Sequence, residues 1–388
     1  MKIGIDIRSI GKKRTGDEAV FFNLVKNLAR IDSGHNFELF TDIVDKEILQ
    51  EISQDLGIIE KDNFKIISLP TKNKFSWNFW TLPRYLRKNP VDIYLTQYIT
   101  PFFVPRSVKI VTIVHDISFN FFPQFIKFSD LFFLKILIPL SLKRADRIIG
   151  VSQFTRNEII KFYKTDPEKV DYIYNAVGDD FLKGEVSFEE KERVRKKYKL
   201  PEKFILYLGT LQPRKNIPHL IEAFARIKDR LEDAKLVICG NLKAHNCDMG
   251  IEKSVAVNNL GNEVFFPGFI DEKDKVAVFA QAQAFVFPSL YEGFGIPPLE
   301  AMSQGVPVLL SEIPSLKEIS ANGALYASPF SVDEFAEMIY DINKDENLRN
   351  KLIQAGFERV GFFSWQKTAE SVLVIFEKIR HNKEIDLK

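Results

Sequence analysis

Short apolar segments rich in β-branched residues alternate with longer segments of helical periodicity along the chain. They predict strands at residues 2–7, 37–40, 92–95, 109–114 and 147–151 in the first half, and at 204–208, 235–239, 263–266, 284–287 and 306–310 in the second. Strands that alternate with helices are typical of βαβ units, whose parallel sheets are buried on both faces. The pattern therefore predicts an α/β fold with a doubly wound unit in each half.

A charged segment separates the two halves. Residues 179–201 consist mostly of charged and helix-forming side chains, which predicts a domain junction followed by an exposed helix. We therefore expect an N-terminal domain at 1–180 and a C-terminal domain at 181–364. The chain ends in a predicted helix that begins near 365 and has one apolar face, and this pattern alone leaves open which domain the helix packs on.

Length and charge narrow the class of protein. At roughly 100 to 200 residues per domain, 388 residues fit two domains. The formal net charge of +2 provides no overall field for nucleic acid, so no nucleic-acid partner is expected.

The two cysteines lie in no CxxC or Cys/His cluster, and the chain begins apolar before it becomes basic, the reverse of a signal peptide. The longest uncharged run, 276–291, is too short to span a membrane, so we expect a cytoplasmic protein.

The most informative stretch is PSLYEGFGIPPLEAM, which follows a predicted strand. A loop with Gly293 and Gly295 leads into a helix opened by two prolines, and loop amides beside a helix N-terminus form an anion site. Glu292 precedes this loop, and Glu300 is expected in the first turn of the helix. Carboxylates repel phosphate but accept hydrogen bonds from hydroxyls, and a sugar nucleotide offers both groups. The alternative is that Glu300 only complements the helix dipole and the glycines only turn the chain.

A second strand-turn-helix stretch, LYLGTLQPRKNIPHLIEAFARIK, places Arg214 and Lys215 at the mouth of its loop. A guanidinium fork and an ammonium point charge suit a diphosphate. The alternative is a solvated pair of surface cations. Cations at a helix N-terminus are unfavourable unless an anion joins them, which argues for a ligand.

Two further candidates follow predicted strands of the first half. His115 and Asp116 lie just past the strand at 109–114, at the sheet edge where sites of open α/β folds lie, although a lone histidine is often structural. The loop 11–16 lacks GxGxxG spacing, yet Gly16 can let a backbone approach a ligand closely.

Metal and cofactor motifs are missing from the sequence. No two aspartates are separated by a single residue, and no GxxxxGK[ST], HExxH or GxSxG motif occurs. We therefore expect neither a metal site nor a cofactor, with Arg214, Lys215 and helix ends meeting the charge of a leaving diphosphate.

These stretches, together with VHD and RIIGVSQFT, resemble the family four retaining glycosyltransferases of GT-B fold, and the likeness extends over nearly the whole chain. The paired glutamates, Glu292 and Glu300, are its most specific part. The resemblance implies two Rossmann-like doubly wound domains that face an interdomain cleft. It also implies that the nucleotide sugar is held mainly by the C-terminal domain and that the last helix, 365–388, crosses back to the N-terminal one.

The resemblance also implies roles for single residues. The donor-binding set is Gly16, Arg214, Lys215, Gly293, Phe294, Gly295 and Glu300, and the catalytic set is His115 and Glu292. Within these sets, Arg214 and Lys215 would bind the diphosphate, Glu300 the ribose hydroxyls and Glu292 the donor sugar. The amides of Phe294 and Gly295 would face sugar and phosphate, and His115 would lie beside the transferred sugar.

Two positions depart from the family's pattern. Members often read G-I-G-R-Y where this chain has Gly16 followed by Asp17, Glu18, Ala19 and Val20, so phosphate contact from that loop is in doubt. The Asn-Gly that often follows the last strand of the N-terminal domain is Asn175 and Ala176 here.

The expected function is metal-independent transfer of a hexose, with retention of configuration, from a nucleotide sugar to a glycan or lipid-linked acceptor. Mannose from GDP-mannose is favoured, because RKNIPHLIEAF and the His-Asp pair resemble mannosyl members. The leaving diphosphate would act as the base, so no covalent nucleophile is assigned. The alternatives are a glucosyl or rhamnosyl transferase, a non-catalytic glycan-binding subunit of GT-B fold, and another GT-B enzyme such as a sugar-nucleotide epimerase.

Residues 61–164 combine basic and aromatic side chains. They contain 17 Lys or Arg and six Asp or Glu, with runs rich in Phe at 75–80 and 119–137. Such a combination is typical of surfaces that bind anionic membranes, which predicts a peripheral position at the inner membrane leaflet. The alternative is that these Phe lie in the core and the Lys form a solvated face.

Overall fold

A computed structural model describes residues 1–11, 16–244 and 246–386, with only the backbone described for Lys74 and residues 382–386. The chain forms two compact units. The first comprises Met1–Asn120, Lys127–Asn175 and the chain from Ser364 onward, and the second comprises Phe121–Ile126 and Ala176–Phe363. The loop segment Phe121–Ile126 therefore groups with the second unit although its neighbours in sequence belong to the first.

The first unit is built on a parallel seven-stranded sheet. Its strands are β1 (Lys2–Asp6), β2 (Asn36–Thr41), β3 (Phe64–Ser68), β4 (Ile93–Gln97), β5 (Lys109–Val114), β6 (Arg147–Gly150) and β7 (Val170–Tyr172), in the order β3-β2-β1-β4-β5-β6-β7. Its helices before the junction are α1 (Gly16–Arg30), α2 (Lys46–Asp55), α3 (Lys74–Ser76), α4 (Leu82–Lys88), α5 (Phe128–Arg144) and α6 (Gln153–Tyr163). A π-helix, Trp77–Thr81, joins α3 to α4.

The second unit repeats this architecture on a parallel six-stranded sheet. Its strands are β8 (Phe204–Leu208), β9 (Lys235–Cys239), β10 (Val264–Gly268), β11 (Ala284–Phe287), β12 (Val308–Ser311) and β13 (Ala324–Ala327), in the order β10-β9-β8-β11-β12-β13. Its helices are α7 (Phe188–Tyr198), α8 (Ile217–Ile227), α9 (Gly250–Val257), α10 (Lys275–Phe279), α11 (Ile296–Ser303), α12 (Pro314–Ser320), α13 (Val332–Lys344) and α14 (Glu346–Val360).

The last helix, α15 (Trp365–Asp386), belongs to the first unit and packs on α1. Its buried face includes Ala369, Val372, Phe376 and Ile379, at the helical spacing that the sequence predicts. The Thr368 hydroxyl donates to the Tyr174 carbonyl at 2.5 Å, which fixes the start of this helix on the same unit.

All ten strands predicted from the sequence are present, within a few residues at their ends. Three strands, β3, β7 and β13, were not predicted. Each lies at the edge of its sheet and has only one or two buried positions, so its apolar run is short. Central strands such as β8 and β11 are buried at every position and give the strongest signal.

Each sheet has one point where the strand order reverses, between β1 and β4 in the first and between β8 and β11 in the second. Loops that leave neighbouring strands in opposite directions separate there, and ligands of open α/β sheets bind outside the carboxyl ends of those strands. The candidate residues at both sheets follow strands at, or next to, these points.

Candidate functional site

The second unit brings Arg214, Lys215 and Glu292 together outside the carboxyl ends of β8 and β11. Lys215 Nζ pairs with Glu292 Oε1, and Arg214 Nη1 lies 3.2 Å from Glu292 Oε2. Arg214 Nη1 also donates to the Tyr291 carbonyl at 2.9 Å, and the Leu290 amide donates to the Arg214 carbonyl at 2.8 Å. Two loops that are far apart in sequence are thus joined by side chains and backbone.

This cluster is largely buried. Lys215 is 7% exposed and Glu292 6%, and Lys215 Nζ lies 4.8 Å from the centre of the Phe287 ring. Burial opposes ionisation of Glu292, but the charges of Lys215 and Arg214 outweigh it and lower the pKa of its carboxyl below the ordinary value. The carboxylate is therefore ionised at neutral pH, and the cluster carries two positive charges against one negative charge.

The local backbone explains how the two cations reach this position. Pro213–Lys215 form a 3₁₀ turn, and Asn216 follows with a left-handed φ of 58° before α8 begins. The Asn216 side chain donates to the Pro329 carbonyl at 3.0 Å, which anchors this turn. Arg214 and Lys215 lie beside the N-terminus of α8, where cations are unfavourable unless an anion joins them. Within the protein, the Glu292 carboxylate is such an anion.

The glycine loop after Glu292 ends at α11. Gly295 is the residue before this helix and has φ of +102°, a conformation that favours glycine. A Cβ added to Gly295 would lie 2.8 Å from Leu316 Cδ2, so the backbone also approaches a neighbouring side chain closely. Phe294 is buried with its ring edge against Phe363.

Glu300 lies in the second turn of α11, so its predicted position in the first turn was wrong. The helix begins at Ile296, one residue before the proline pair, which makes Glu300 its fifth residue. Burial raises the pKa of the Glu300 carboxyl to about 7, while Lys275 lowers it and Glu272 raises it to smaller extents. Among the described residues, the Glu300 carboxylate has no hydrogen-bond or ion-pair partner, and Lys275 Nζ pairs with Glu272 Oε2 at 2.8 Å.

In the first unit, His115 follows β5 as predicted and is 8% exposed. Its Nε2 lies 2.9 Å from Gln97 Oε1, and its Nδ1 lies 3.8 Å from Asp17 Oδ1. Asp116 accepts from the amide and the hydroxyl of Ser118, at 2.9 and 2.7 Å, and so shapes the turn that follows.

Gly16 is the first residue of α1 and is exposed, and a Cβ added to it would have no heavy atom within 4 Å. Of the predicted loop 11–16, residues 12–15 lie outside the described residues.

Sequence reasoning did not identify Gln97, Tyr98 or the residues Asp6 and Arg8. Arg8 binds Asp6 through Nε and Nη2, at 2.9 and 2.7 Å, and its guanidinium lies over the Trp77 ring. No motif marks these residues. Their only signal is position, because all four lie at or just beyond the carboxyl ends of β1 and β4.

Within the described parts of the chain, no group of three or more His, Cys, Asp or Glu is placed to hold a metal ion. The described helices include none that is long and apolar enough to cross a membrane. Cys239 is buried in β9, and neither Cys239 nor Cys247 forms a disulfide.

Two family models match the chain. "Glycosyltransferase Family 4" matches residues 15–181, and "Glycosyl transferases group 1" matches residues 188–359. The chain is 31% identical to the serotype-specific mannosyltransferase WbdA of Escherichia coli over 246 residues, which are 63% of this chain and 30% of WbdA. It thus spans less than a third of the length of that relative. It is also 31% identical to the O-antigen chain mannosyltransferase B of Escherichia coli over 267 residues, 68% of this chain and 69% of that protein.

The fold is similar to solved structures over almost the whole chain. One is HepE of Anabaena, solved in complex with UDP-glucose, which is 16% identical with a TM-score of 0.75 and covers 97% of this chain and all of its own. Both parallel α/β units are therefore those of the GT-B fold. With both halves matched in order and a 31% identical relative covered over two thirds of its length, the chain belongs to the family 4, group 1 glycosyltransferases.

Proposed function

We propose that this protein is a retaining glycosyltransferase that moves a hexose, with mannose favoured, from a nucleotide sugar to a glycan or lipid-linked acceptor. The observation that carries the proposal is the buried cluster of Arg214, Lys215 and Glu292 at the strand-order reversal of the second sheet. The family assigns the class of reaction, and this cluster supplies charge of the sign that a nucleoside diphosphate requires.

The charge of the cluster favours a diphosphate over a neutral ligand. Because Glu292 is ionised, it cancels one of the two positive charges and one remains. In a site this poorly solvated, that charge acts on a leaving diphosphate more strongly than it would in water. The Arg214 side chain is 19% exposed and the Lys215 side chain 9%, so Arg214 is the more accessible of the two cations.

We assign the remaining roles by chemistry. Glu300, without a protein partner among the described residues, is suited to accept hydrogen bonds from ribose hydroxyls. The amides of Phe294 and Gly295 precede α11 and would face sugar and phosphate. Glu292 would contact the donor sugar with the oxygen lone pairs that the two cations leave.

The proposed reaction uses no metal and no covalent nucleophile. The cations carry the charge of the leaving diphosphate, and a diphosphate oxygen takes the proton of the acceptor hydroxyl as the new glycosidic bond forms. Retaining hydrolases instead need two carboxylates about 5 Å apart, one of them a nucleophile. Here Glu292 is held by two cations, which lowers its nucleophilicity and favours an electrostatic role.

The donor is the least constrained part of the proposal. GDP-mannose is favoured because two relatives are named mannosyltransferases, whereas HepE was solved with UDP-glucose, which keeps a glucosyl or rhamnosyl donor as the second candidate. A thermal-shift panel of nucleotide sugars tests this choice. A ligand at 100 times its dissociation constant stabilises the fold by about 2.7 kcal/mol. We expect GDP-mannose to give the largest shift, and a larger shift with another donor would replace it.

A non-catalytic subunit is the alternative that differs in class. It would bind the donor or a glycan but release no nucleotide at any protein concentration. We expect GDP release from GDP-mannose in proportion to protein, and its loss in Arg214→Ala. GDP release that persists unchanged in Arg214→Ala would show that Arg214 is not part of the site of turnover.

We also propose that the first unit binds an anionic membrane surface at the cytoplasmic face. Helix α5 exposes a row of apolar side chains on one side, and a second exposed group lies on and near the π-helix. The first group is Phe128, Phe132, Phe133, Ile136 and Leu140, and the second is Phe75, Trp80 and Phe103. Phe128 alone is 84% exposed.

One loop connects the two groups. The Phe102 amide donates to the Asn78 carbonyl in the π-helix at 2.9 Å, and the Thr100 amide donates to the Ser141 hydroxyl oxygen of α5 at 3.0 Å. Exposed Lys72 and Lys135 flank the apolar groups. Exposed aromatic side chains beside lysines are suited to the interface of an anionic leaflet, where each cation contributes about 1 kcal/mol.

Co-sedimentation with vesicles tests this surface. We expect binding to anionic but not neutral vesicles, weaker at high salt, and lost when Phe128, Phe132 and Phe133 are changed to Ser together. The matched control is Phe330→Ser, because Phe330 is 81% exposed on the second unit. Equal binding by the triple variant and the control would refute this surface.

A further inference from the structure

His115 is held by a neutral side chain from the adjacent strand. Gln97 is the last residue of β4 and lies opposite Ile113 of β5, two residues before His115. Its Oε1 is 2.9 Å from His115 Nε2. Because an amide oxygen has no proton, it can only accept a hydrogen bond from that ring nitrogen.

The backbone around Gln97 is fixed from both sides. Tyr98 has φ of +53°, a left-handed conformation that is strained for a non-glycine residue. Its amide donates to the Ile113 carbonyl at 2.9 Å, and its phenol oxygen accepts from the Asp116 amide at 3.2 Å. The Tyr98 ring centre lies 5.5 Å from that of His115. Contacts before and after the imidazole therefore hold the end of β4 against it.

We propose that Gln97 is a positioning residue that sets the tautomer of His115. With Nε2–H donating to Gln97 Oε1, the neutral ring carries its only proton on Nε2, and Nδ1 presents a lone pair. That lone pair lies 3.8 Å from Asp17 Oδ1, too far for a hydrogen bond between them. Among the described residues, no hydrogen bond is formed to either of these two acceptors, so both can accept from a bound ligand.

The chemical class of that donor is a hydroxyl, and under the proposed function it is a sugar hydroxyl. Nδ1 of His115 accepts its hydrogen bond, while Asp17, 48% exposed at the start of α1, can accept from a second hydroxyl. The opposite tautomer would place a proton on Nδ1, where it would repel a hydroxyl proton.

The test is NMR of the full chain labelled with ¹³C and ¹⁵N at histidine, which occurs five times. His115→Asn identifies the His115 signals by their loss. We expect the wild-type ring to be the Nε2–H tautomer without any ligand. Gln97→Glu retains an acceptor oxygen and should keep that tautomer, whereas Gln97→Met retains length but no acceptor and should give a tautomer mixture. Gln50→Met, at an exposed position of α2, is the matched control and should change nothing.

A wild-type Nδ1–H ring would overturn the proposal, as would an unchanged tautomer in Gln97→Met, and the wild-type measurement stands even if a variant does not fold. In turnover, we expect Gln97→Met to lower the rate of nucleotide release about tenfold, which corresponds to the loss of one hydrogen bond. The rate of Gln97→Glu should be near that of the wild type. If no nucleotide sugar is turned over, the proposed function fails, but the tautomer measurement still decides the role of Gln97.

Discussion

Raising the pH through 7 should destabilise the ligand-free protein, because the fold opposes ionisation of Glu300. Burial raises the pKa of this carboxyl from its ordinary value of 4.5 to about 7. At about 1.4 kcal/mol for each tenfold change in proton affinity, this difference corresponds to roughly 3 kcal/mol. The folded state holds the proton more tightly than the unfolded state. The contribution of protonated Glu300 to the free energy of unfolding is therefore fully present below pH 4.5 and is lost as the pH rises through about 7.

Glu300→Gln removes this dependence, since the amide does not ionise. We expect the free energy of unfolding of the variant, relative to wild type, to rise by roughly 3 kcal/mol between pH 4 and pH 8. Urea unfolding of both proteins at several pH values measures the difference. Glu202→Gln, at an exposed position of the same unit, is the control and should show no such trend. A difference between Glu300→Gln and wild type that stays constant across this range would refute the account of Glu300.

The same carboxylate links donor binding to protons. Hydroxyl donors favour its ionised form, so binding of GDP-mannose near pH 6 should release a proton, and affinity should increase from pH 6 to pH 8. Isothermal titration in buffers of different ionisation enthalpy measures this release. Glu300→Gln should bind more weakly and without proton release, and release that persists in the variant would assign it to another group.

Three further outcomes are expected. Gly295→Ala should destabilise the protein by about 1 to 3 kcal/mol in thermal unfolding, because its φ is +102° and Leu316 Cδ2 lies 2.8 Å from the added Cβ, whereas Gly261→Ala, in open space, should be near neutral. Asp274 is fully buried, and although burial alone raises the pKa of its carboxyl, hydrogen bonds from Lys197, Arg193 and Tyr198 lower it to about 2. Asp274→Asn should therefore cost about 2 kcal/mol at neutral pH, and the difference from wild type should diminish as the pH falls below about 3.8 through 2. Excess chelator should leave nucleotide release unchanged, because Arg214 and Lys215 carry the diphosphate charge, and loss of turnover restored by Mg²⁺ would contradict this assignment.

The sequence predicts the two sheets because their central strands are continuous apolar runs. FILYL and AFVF are buried at every position, so burial on both faces leaves a signal that any reading of hydropathy detects. The edge strand Val170–Tyr172 has three residues with one fully buried, and such a segment is indistinguishable from a loop. The three strands that hydropathy did not predict are all edge strands, and β10 is the edge strand that it did predict.

The candidate site was predicted as separate residues but not as an arrangement. Lys215 and Glu292 are 77 residues apart in sequence. They pair because β8 and β11 are neighbours in the sheet, and hydropathy does not predict the order of strands in a sheet. Glu300 was placed one turn too early because the helix begins before its prolines. Gln97 carries no motif, and its relation to His115 follows only from the register of β4 against β5.

Titration of GDP-mannose into the wild-type protein and Arg214→Ala tests the central claim most directly. The Arg214 side chain is 19% exposed, and a lost charged hydrogen bond costs about 1.5 to 3 kcal/mol. We predict binding at one site per chain, in the presence of chelator, with affinity lower in the variant by at least tenfold. Absence of binding to the wild type, or equal affinity in the two proteins, would contradict a diphosphate site built on Arg214, Lys215 and Glu292.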